Sequence, residues 1–248
     1  MHSFERTALP DELSQALLDN QTKLNQELKA NTDNNNIGKI AAKAWEKFNK
    51  KKDIKEKLRD ELRNMSGFCC AYCEGYDEDV AYLEVEHNIP KSLFPEHTFD
   101  WNNLLYSCPK CNRSKSKKYD AQNKILDPCI DEPVEHLAVI NYETAHFFIP
   151  GNILGRNSER GKNTIEQCDL NREGLIDSRK QILDMGETLC LSLESASDDN
   201  PVKQAGISLI YNSAQHGKEF CTVFRLLIRK HHKLFEGRPL FKTPEVRN

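Results

Sequence analysis

Tyr82-Leu83-Glu84-Val85-Glu86-His87-Asn88-Ile89-Pro90-Lys91-Ser92, then Trp101-Asn102-Asn103-Leu104-Leu105-Tyr106-Ser107 and Cys108-Pro109-Lys110-Cys111-Asn112-Arg113-Ser114-Lys115, are the segments whose reading decides the fold. The first reads as a short strand, over Tyr82 to Glu86, that runs into a carboxylate and an imidazole. The second contains a return strand over Leu104 to Ser107, and the third a basic helix opening at Asn112. The expected order is a β-hairpin followed by a helix. Between Phe68 and about Pro128 few apolar residues could hold such a unit together.

Cysteines supply what the apolar residues do not. Cys70-Ala71-Tyr72-Cys73 and Cys108-Pro109-Lys110-Cys111 are two CxxC pairs, each able to place two thiolates on one cation from a tight knuckle, and together they make the four-thiolate set that Zn2+ favours. Cys69 neighbours the first pair, but only Cys70 has the two-residue gap to Cys73. The 34 residues between the pairs exceed a simple ribbon, so the staple is expected to hold the ends of an inserted unit, where the chemistry should lie. Cys129, Cys168, Cys190 and Cys221 are scattered singly and read as small buried hydrophobes.

Outward from this unit the pattern turns helical. Leu13, Leu17, Leu24 and Leu28 recur at helical spacing between Asp11 and Ala30, Asn31 to Asn36 reads as a loop, and a second helix is expected from about Lys39 to Met65, ending at Ser66-Gly67. His136 to Ile153 reads as a β-hairpin broken at Asn141 and Pro150-Gly151. Further helices are expected over about 172–195, 201–214 and 216–235. The expected class is α+β, a mainly helical chain carrying a small zinc-stapled unit. The expected divisions are 1–66 (helical), 67–127 (stapled unit) and 128–248 (hairpin plus helices, for partner docking).

The chain has 248 residues, 35 Lys and Arg against 38 Asp and Glu, and a net charge of -3, which excludes nucleic-acid binding by bulk charge. Local charge differs from that average. From Glu74 to Glu86 there are six acids and no Lys or Arg, and from Cys108 to Lys124 six bases and one acid. Lys91, Lys110, Arg113, Lys115, Lys117 and Lys118 are the expected phosphate contacts, with Arg113 and Lys115 foremost. Glu74, Asp77, Glu78 and Asp79 read as a solvated acidic loop. Residues 39–63 carry ten basic residues against five acidic. A second basic surface is expected from Arg225, Arg229, Lys230, Lys233, Arg238, Lys242 and Arg247. The odd count of nine cysteines, with no apolar leader in Met1 to Pro10, fits reduced thiols and a cytoplasmic location, and no apolar run approaches a membrane span.

The segment from Cys70 to Lys118 resembles the HNH endonuclease family, whose ββα-metal motif is often flanked by two CxxC knuckles. The resemblance implies that His87 is the general base and that Glu86 binds a divalent metal. It implies that Asn103 braces the loop that aligns the histidine, and that Asn112 is the second protein ligand of the metal. Glu86 stands where Asp is common and Asn112 where many members carry His; both still offer oxygen. A carboxylate and an amide oxygen suit Mg2+ or Mn2+, and a neutral imidazole suits proton removal from water. Zinc is then structural and magnesium catalytic. His97 is the nearest competing base, but it lacks neighbouring ligands and reads as loop packing.

The N-terminal helix, with Thr164-Ile165-Glu166-Gln167-Cys168-Asp169-Leu170-Asn171-Arg172-Glu173-Gly174-Leu175 continuing to Arg179, resembles the HNH subunits of Septu-type and retron-associated anti-phage systems. That resemblance implies an effector nuclease working with an ABC/SMC-like ATPase and, in retron versions, with a reverse transcriptase and its RNA-DNA hybrid. Two other functions compete: a non-catalytic zinc-stapled binding module, and a stand-alone restriction-type nuclease.

Overall fold

The computed structural model describes residues 4–77, 83–142, 145–153 and 156–238. Glu78, Asp79, Tyr82, Lys242 and Arg247 lie outside the described residues. The chain is mostly helical with small two-stranded antiparallel sheets, an α+β arrangement. Asp11–Ala30 forms α1, with Asp11 and Glu12 in its first turn and Leu13, Leu17 and Leu24 buried along one stripe.

The expected single helix over 39–65 is two, α2 (Ile37–Asn49) and α3 (Lys52–Met65). Burial explains the break. Ala41, Trp45 and Phe48 form the buried stripe of α2, and its continuation on an unbroken helix would fall on Lys52, Lys55 and Arg59. The buried stripe of α3 instead passes through Leu58, Leu62 and Met65. At 3.6 residues per turn, Phe48 and Leu58 would point about 80° apart on one straight helix. Breaking at Lys50-Lys51 lets both stripes face the core.

The motif follows as β1 (Glu84–His87), β2 (Leu104–Ser107) and α4 (Pro109–Lys115), with Glu86 opposite Leu105 and His87 opposite Leu104. The helix opens at Pro109, ahead of the expected Asn112. Cys108 caps it by accepting from the Cys111 N–H, and Pro109 sits at its first position, where no N–H is needed. A turn at Pro133–His136 leads to β3 (Leu137–Tyr142) and β4 (Ala145–Pro150), so β3 runs through Asn141 and the hairpin closes beyond it.

The remainder comprises α5 (Glu159–Gln167), not anticipated as a separate helix, then α6 (Glu173–Ser195), α7 (Pro201–Ser213) and α8 (Cys221–Lys230). Ser158 starts α5 by accepting from the Gly161 N–H. The last helix begins five residues later than expected because Gly217 and Phe220 both adopt positive φ. Gly217 also meets Gly67 backbone to backbone: a Cβ on Gly67 would lie 2.3 Å from the Gly217 Cα. This contact sets the end of α3 against the turn entering α8.

One continuous core joins α1, α2 and α3 to the motif and to Leu170, Leu175, Leu183, Val223 and Leu227 of the C-terminal region. A second cluster, Cys190, Leu193, Ile207, Ile210 and Ile228, binds α6, α7 and α8 to one another. The motif is thus packed between helices on both sides. Among the described residues no helix is long and apolar enough to cross a membrane.

The expected C-terminal basic surface is partly consumed in packing. Arg225 is buried and makes a two-pronged bond to buried Glu132 at 2.9 and 2.8 Å, Arg229 donates to the Val134 carbonyl, and Lys230 pairs with Glu187 at 2.6 Å. Lys233 remains exposed.

Buried His231 places Nδ1 at 2.8 Å from Glu194 and Nε2 at 2.9 Å from Glu187. A ring donating from both nitrogens is an imidazolium. Burial opposes the charge, but the hydrogen bonds to Glu194 and Glu187 win and the His231 pKa is raised. The resulting stability is fully present below the unfolded-state value of about 6.5 and is lost as pH rises through the higher folded value. Urea unfolding should therefore show lower stability at pH 8.5 than at pH 6, and His231→Gln should shrink that difference. An unchanged difference would contradict the assignment.

Candidate active site and its zinc staple

The four thiols of Cys70, Cys73, Cys108 and Cys111 are buried, with sulfurs all within 4.8 Å of one another. A tetrahedral zinc with Zn–S near 2.3 Å needs sulfurs about 3.8 Å apart, and Cys73 and Cys108 stand at 3.9 Å. Backbone N–H groups also point at sulfur, Cys108 to Cys70 at 3.3 Å and Cys111 to Cys108 at 3.4 Å. Donor set, burial and spacing fit a structural zinc. Cys69 is buried outside this set, and burial pushes its thiol up to about 12. Cys168, Cys190 and Cys221 are buried and Cys129 is half-buried.

Both knuckles are gripped by the C-terminal region. Arg172 Nη1 lies 3.4 Å from the Cys111 sulfur and Nη2 3.9 Å from that of Cys108, placing a cation against the thiolates. On the first knuckle, Glu74 corrects the expectation of a solvated acidic loop. It is 1% exposed and accepts from the Thr222 hydroxyl at 2.6 Å and the Thr222 N–H at 3.2 Å, so it meets the buried first turn of α8 at its N–H end. Asp77 is likewise committed, to Arg63 and to the Tyr106 hydroxyl. Glu74→Ala should cost about 1–3 kcal/mol, the penalty for leaving buried donors unpaired. Chemical denaturation would show it, with hydrogen exchange fastest in α8; unchanged exchange there would refute the role.

Because side chains alternate along a strand, Glu84 and Glu86 share one face of β1, and α4 lies against it. Asn112 donates to Glu84 at 2.8 Å, and Lys115, one turn later, donates to Glu86 Oε1 and to the His87 carbonyl, both at 2.7 Å. Lys115 is 1% exposed, which corrects its reading as a surface phosphate contact: the ammonium is the buried counter-ion of Glu86. Burial raises the Glu86 pKa, and Lys115 opposes that shift. Glu84, which holds Asn112, was not singled out in the sequence; its two-residue spacing from Glu86 is the signal that could have found it.

His87 is held on several sides. Its ring meets Trp45 of α2 edge-on at 4.5 Å between centroids, and Nε2 lies 2.9 Å from the Thr98 carbonyl. A carbonyl only accepts, so Nε2 carries the proton and the lone pair is on Nδ1, which accepts from Lys91 Nζ at 3.4 Å. Burial, aided by the charge of Lys91, keeps the His87 pKa well below its ordinary value and the ring neutral. Asn103 takes the bracing position: it accepts from the Ile89 N–H at 2.6 Å and donates to the carbonyls of Ile89 and His97, both at 2.9 Å. Arg6 reinforces the return strand through the Trp101, Asn102 and Leu104 carbonyls.

Lys110, Arg113, Lys117 and Lys118 are exposed along and beyond α4, and Lys91 is half-buried beside His87. His97 is half-exposed, 3.3 Å from Asp100. Glu84, Glu86 and Asn112 offer oxygens of the kind a hard divalent cation takes, and the donor chemistry fits Mg2+ or Mn2+.

Residues 70–118 match the family model described as HNH endonuclease. The chain is 27% identical over 180 residues to the Septu protein PtuB of Bacillus thuringiensis, covering 67% of this chain and 66% of that relative. It is 28% identical over 189 residues to the Septu protein PtuB of Bacillus mycoides, covering 61% and 62%. It is also 28% identical over 138 residues to an HNH protein of retron Vc95 from Vibrio cholerae, covering 52% and 65%. In each case the match spans under two thirds of the relative's length. The chain is thus similar to HNH endonucleases over residues 70–118 and to proteins of Septu and retron systems over a longer stretch.

Proposed function

We propose that this chain is a metal-dependent endonuclease that hydrolyses phosphodiester bonds in nucleic acid and serves as the effector of an anti-phage defence complex. The observation that carries the reading is His87, buried, neutral and fixed in the tautomer that puts its lone pair on Nδ1, where it faces Lys91, on a ββα unit that also presents Glu86 and Asn112. Glu86 and Asn112, with Glu84 alongside, would hold Mg2+ or Mn2+, which would supply charge relief on the phosphoryl and leaving oxygens. Once Lys91 has turned from Nδ1 to a flanking phosphate, His87 Nδ1 takes the proton from the attacking water, and Asn103 keeps the loop that aligns His87 in place. Lys91, Lys110, Arg113, Lys117 and Lys118 bind flanking phosphates.

The names of the relatives support a partner-dependent role. The proposed partner is an ABC/SMC-like ATPase, joined in a retron setting by a reverse transcriptase with its RNA-DNA hybrid. Co-purification with the neighbouring gene products, followed by sequencing of nucleic-acid ends made with Mg2+, tests both parts. Asn112→Ala should lower cleavage at least tenfold in the same preparation while zinc content stays unchanged. Cleavage at the wild-type rate by that variant would overturn the assigned metal site.

A further inference from the structure

Residues 39–63 carry ten basic residues against five acidic, and the proposed mechanism uses none of them. The structure divides that charge. Lys47 pairs with Glu27 at 3.4 Å, Lys50 with Glu46 at 3.1 Å and Lys57 with Glu12 at 2.6 Å, while Arg63 is held by Asp77. Lys39 and Lys43 on α2 are exposed, and neither has an acidic partner among the described residues. Four residues apart on a helix, they form a row whose members stand about 6 Å apart along the axis.

This helix lies along the loop that leaves β1. Trp45 meets His87 edge-on at 4.5 Å, and the Lys91 ammonium stands 5.9 Å from the centre of the Trp45 ring. Nearer the start of α2, Gly38 meets the loop backbone directly: a Cβ there would lie 2.6 Å from the Ser92 carbonyl oxygen, so a glycine is what lets the helix come this close. Beside that contact opens a groove of about 500 Å3, lined by Asn35, Lys39 and Ala42 on one side and by Ser92 and Leu93 on the other. No acid lines it, and Asp33, close by in sequence, is committed to the Asn35 N–H and the Asn36 amide. Leu93, 46% exposed, gives the groove an apolar wall, and Lys39, Ser92 and Asn35 give it donors. A sugar-phosphate backbone has the complementary division, with anionic oxygens that take donors and sugar carbons that take apolar cover.

We propose that this groove and the Lys39-Lys43 row hold the backbone of the substrate strand on one side of the cut, while the cations of α4 hold it on the other. α4 reaches β1 through Asn112 and Lys115, and α2 reaches the loop through Trp45 and Gly38, so His87, the last residue of β1, stands between the two helices. A strand that passes His87 leaves α4 and enters the α2 groove, with Lys91 at the junction. Lys39 and Lys43 meet phosphates of that strand, Ser92 and Asn35 donate to phosphate oxygens, and Leu93 covers a sugar. Contacts of this kind carry no sequence information; they fix the register of the strand, here over the reacting groups. The proposal rests on the nuclease reading for the identity of the strand, while binding in the groove is testable without cleavage.

Fluorescence anisotropy of a short labelled DNA strand with the full zinc-loaded chain, without Mg2+, counts the phosphates neutralised when salt is varied from about 50 to 200 mM. The double variant Lys39→Ala with Lys43→Ala should lower the slope of log K against log salt by about 0.7–1.4, one or two single-strand phosphates at about 0.7 each, and weaken binding at least threefold at the lowest salt. Leu93→Asp, which sets a carboxylate in the exposed wall, should weaken it by a similar factor. Lys180→Ala with Lys233→Ala removes the same charge from α6 and the C-terminal end and should leave the slope unchanged. A strand carrying photoreactive bases should cross-link to peptides of both α2 and α4. An unaltered slope in the Lys39 and Lys43 variant, an equal fall in the control pair, cross-links to α4 alone, or no binding by wild type would each overturn the proposal. So would loss of co-purifying partners from that variant at an unaltered slope, which would make the row a protein-docking face. If wild type binds the strand and cuts nothing with Mg2+, the nuclease reading fails, and the slopes still decide the groove.

Discussion

Stripping zinc with a strong chelator should unfold the segment from Cys70 to Cys111 and release the C-terminal helices from it. The four thiols close the two ends of the motif and sit inside the same core as Tyr72, Leu104 and Leu105, so metal bound there would add directly to folding free energy. Structural zinc in small peptides is worth about 10–16 kcal/mol at neutral pH, comparable to the about 5–15 kcal/mol total stability of an ordinary domain. The loss should spread outward, because Glu74 of the first knuckle caps α8 and Arg172 lies against the second. Mass spectrometry should find one zinc per chain, lost in Cys108→Ser, and hydrogen exchange after chelation should rise in the motif and in α8 together. Arg172→Ala should weaken zinc binding about 10- to 100-fold, as outer-shell partners of metal ligands do. A chain that keeps its exchange protection without zinc would refute the staple.

His87→Ala should lower Mg2+-dependent cleavage by about 10²–10⁴-fold, the usual contribution of a positioned general base. The expectation follows from the two ring nitrogens. Nε2 is spent on the Thr98 carbonyl, so only Nδ1 can accept a proton, and burial together with Lys91 keeps it unprotonated near neutral pH. The substitution leaves the thiolates untouched and removes a ring that packs on Trp45, so zinc content should hold while stability falls modestly. Trp45→Phe provides the comparison: it keeps an aromatic wall and should retain most of the activity. Equal losses in the two variants would point to packing and away from proton transfer.

Sequence made the staple and the motif strands legible because their signals are local. A two-residue gap between cysteines and an apolar run of four residues hardly depend on what packs against them. Charged residues were misread for the opposite reason. Glu74, Asp77, Lys115 and Arg225 have the composition of a surface, and each is buried or half-buried against a partner remote in the chain: Thr222, Arg63, Glu86 and Glu132. Only the fold brings such partners together. The break between α2 and α3 was within reach, since the apolar stripe changes phase at Lys50-Lys51, whereas the late start of α8 depended on positive φ at Gly217 and Phe220. At the candidate site, Glu86, His87, Asn103 and Asn112 were named in advance from the resemblance. The tautomer of His87, the counter-ion role of Lys115 and the hold of Glu84 on Asn112 required the structure.

The most direct measurement of the central claim counts strand breaks per zinc-loaded molecule, purified with its co-expressed partners, on DNA and on RNA, with and without Mg2+. The account predicts breaks that require Mg2+ in the wild type and fall at least a hundredfold in His87→Ala at equal zinc content. Breaks that persist in His87→Ala, or that arise equally without a divalent cation, would contradict it.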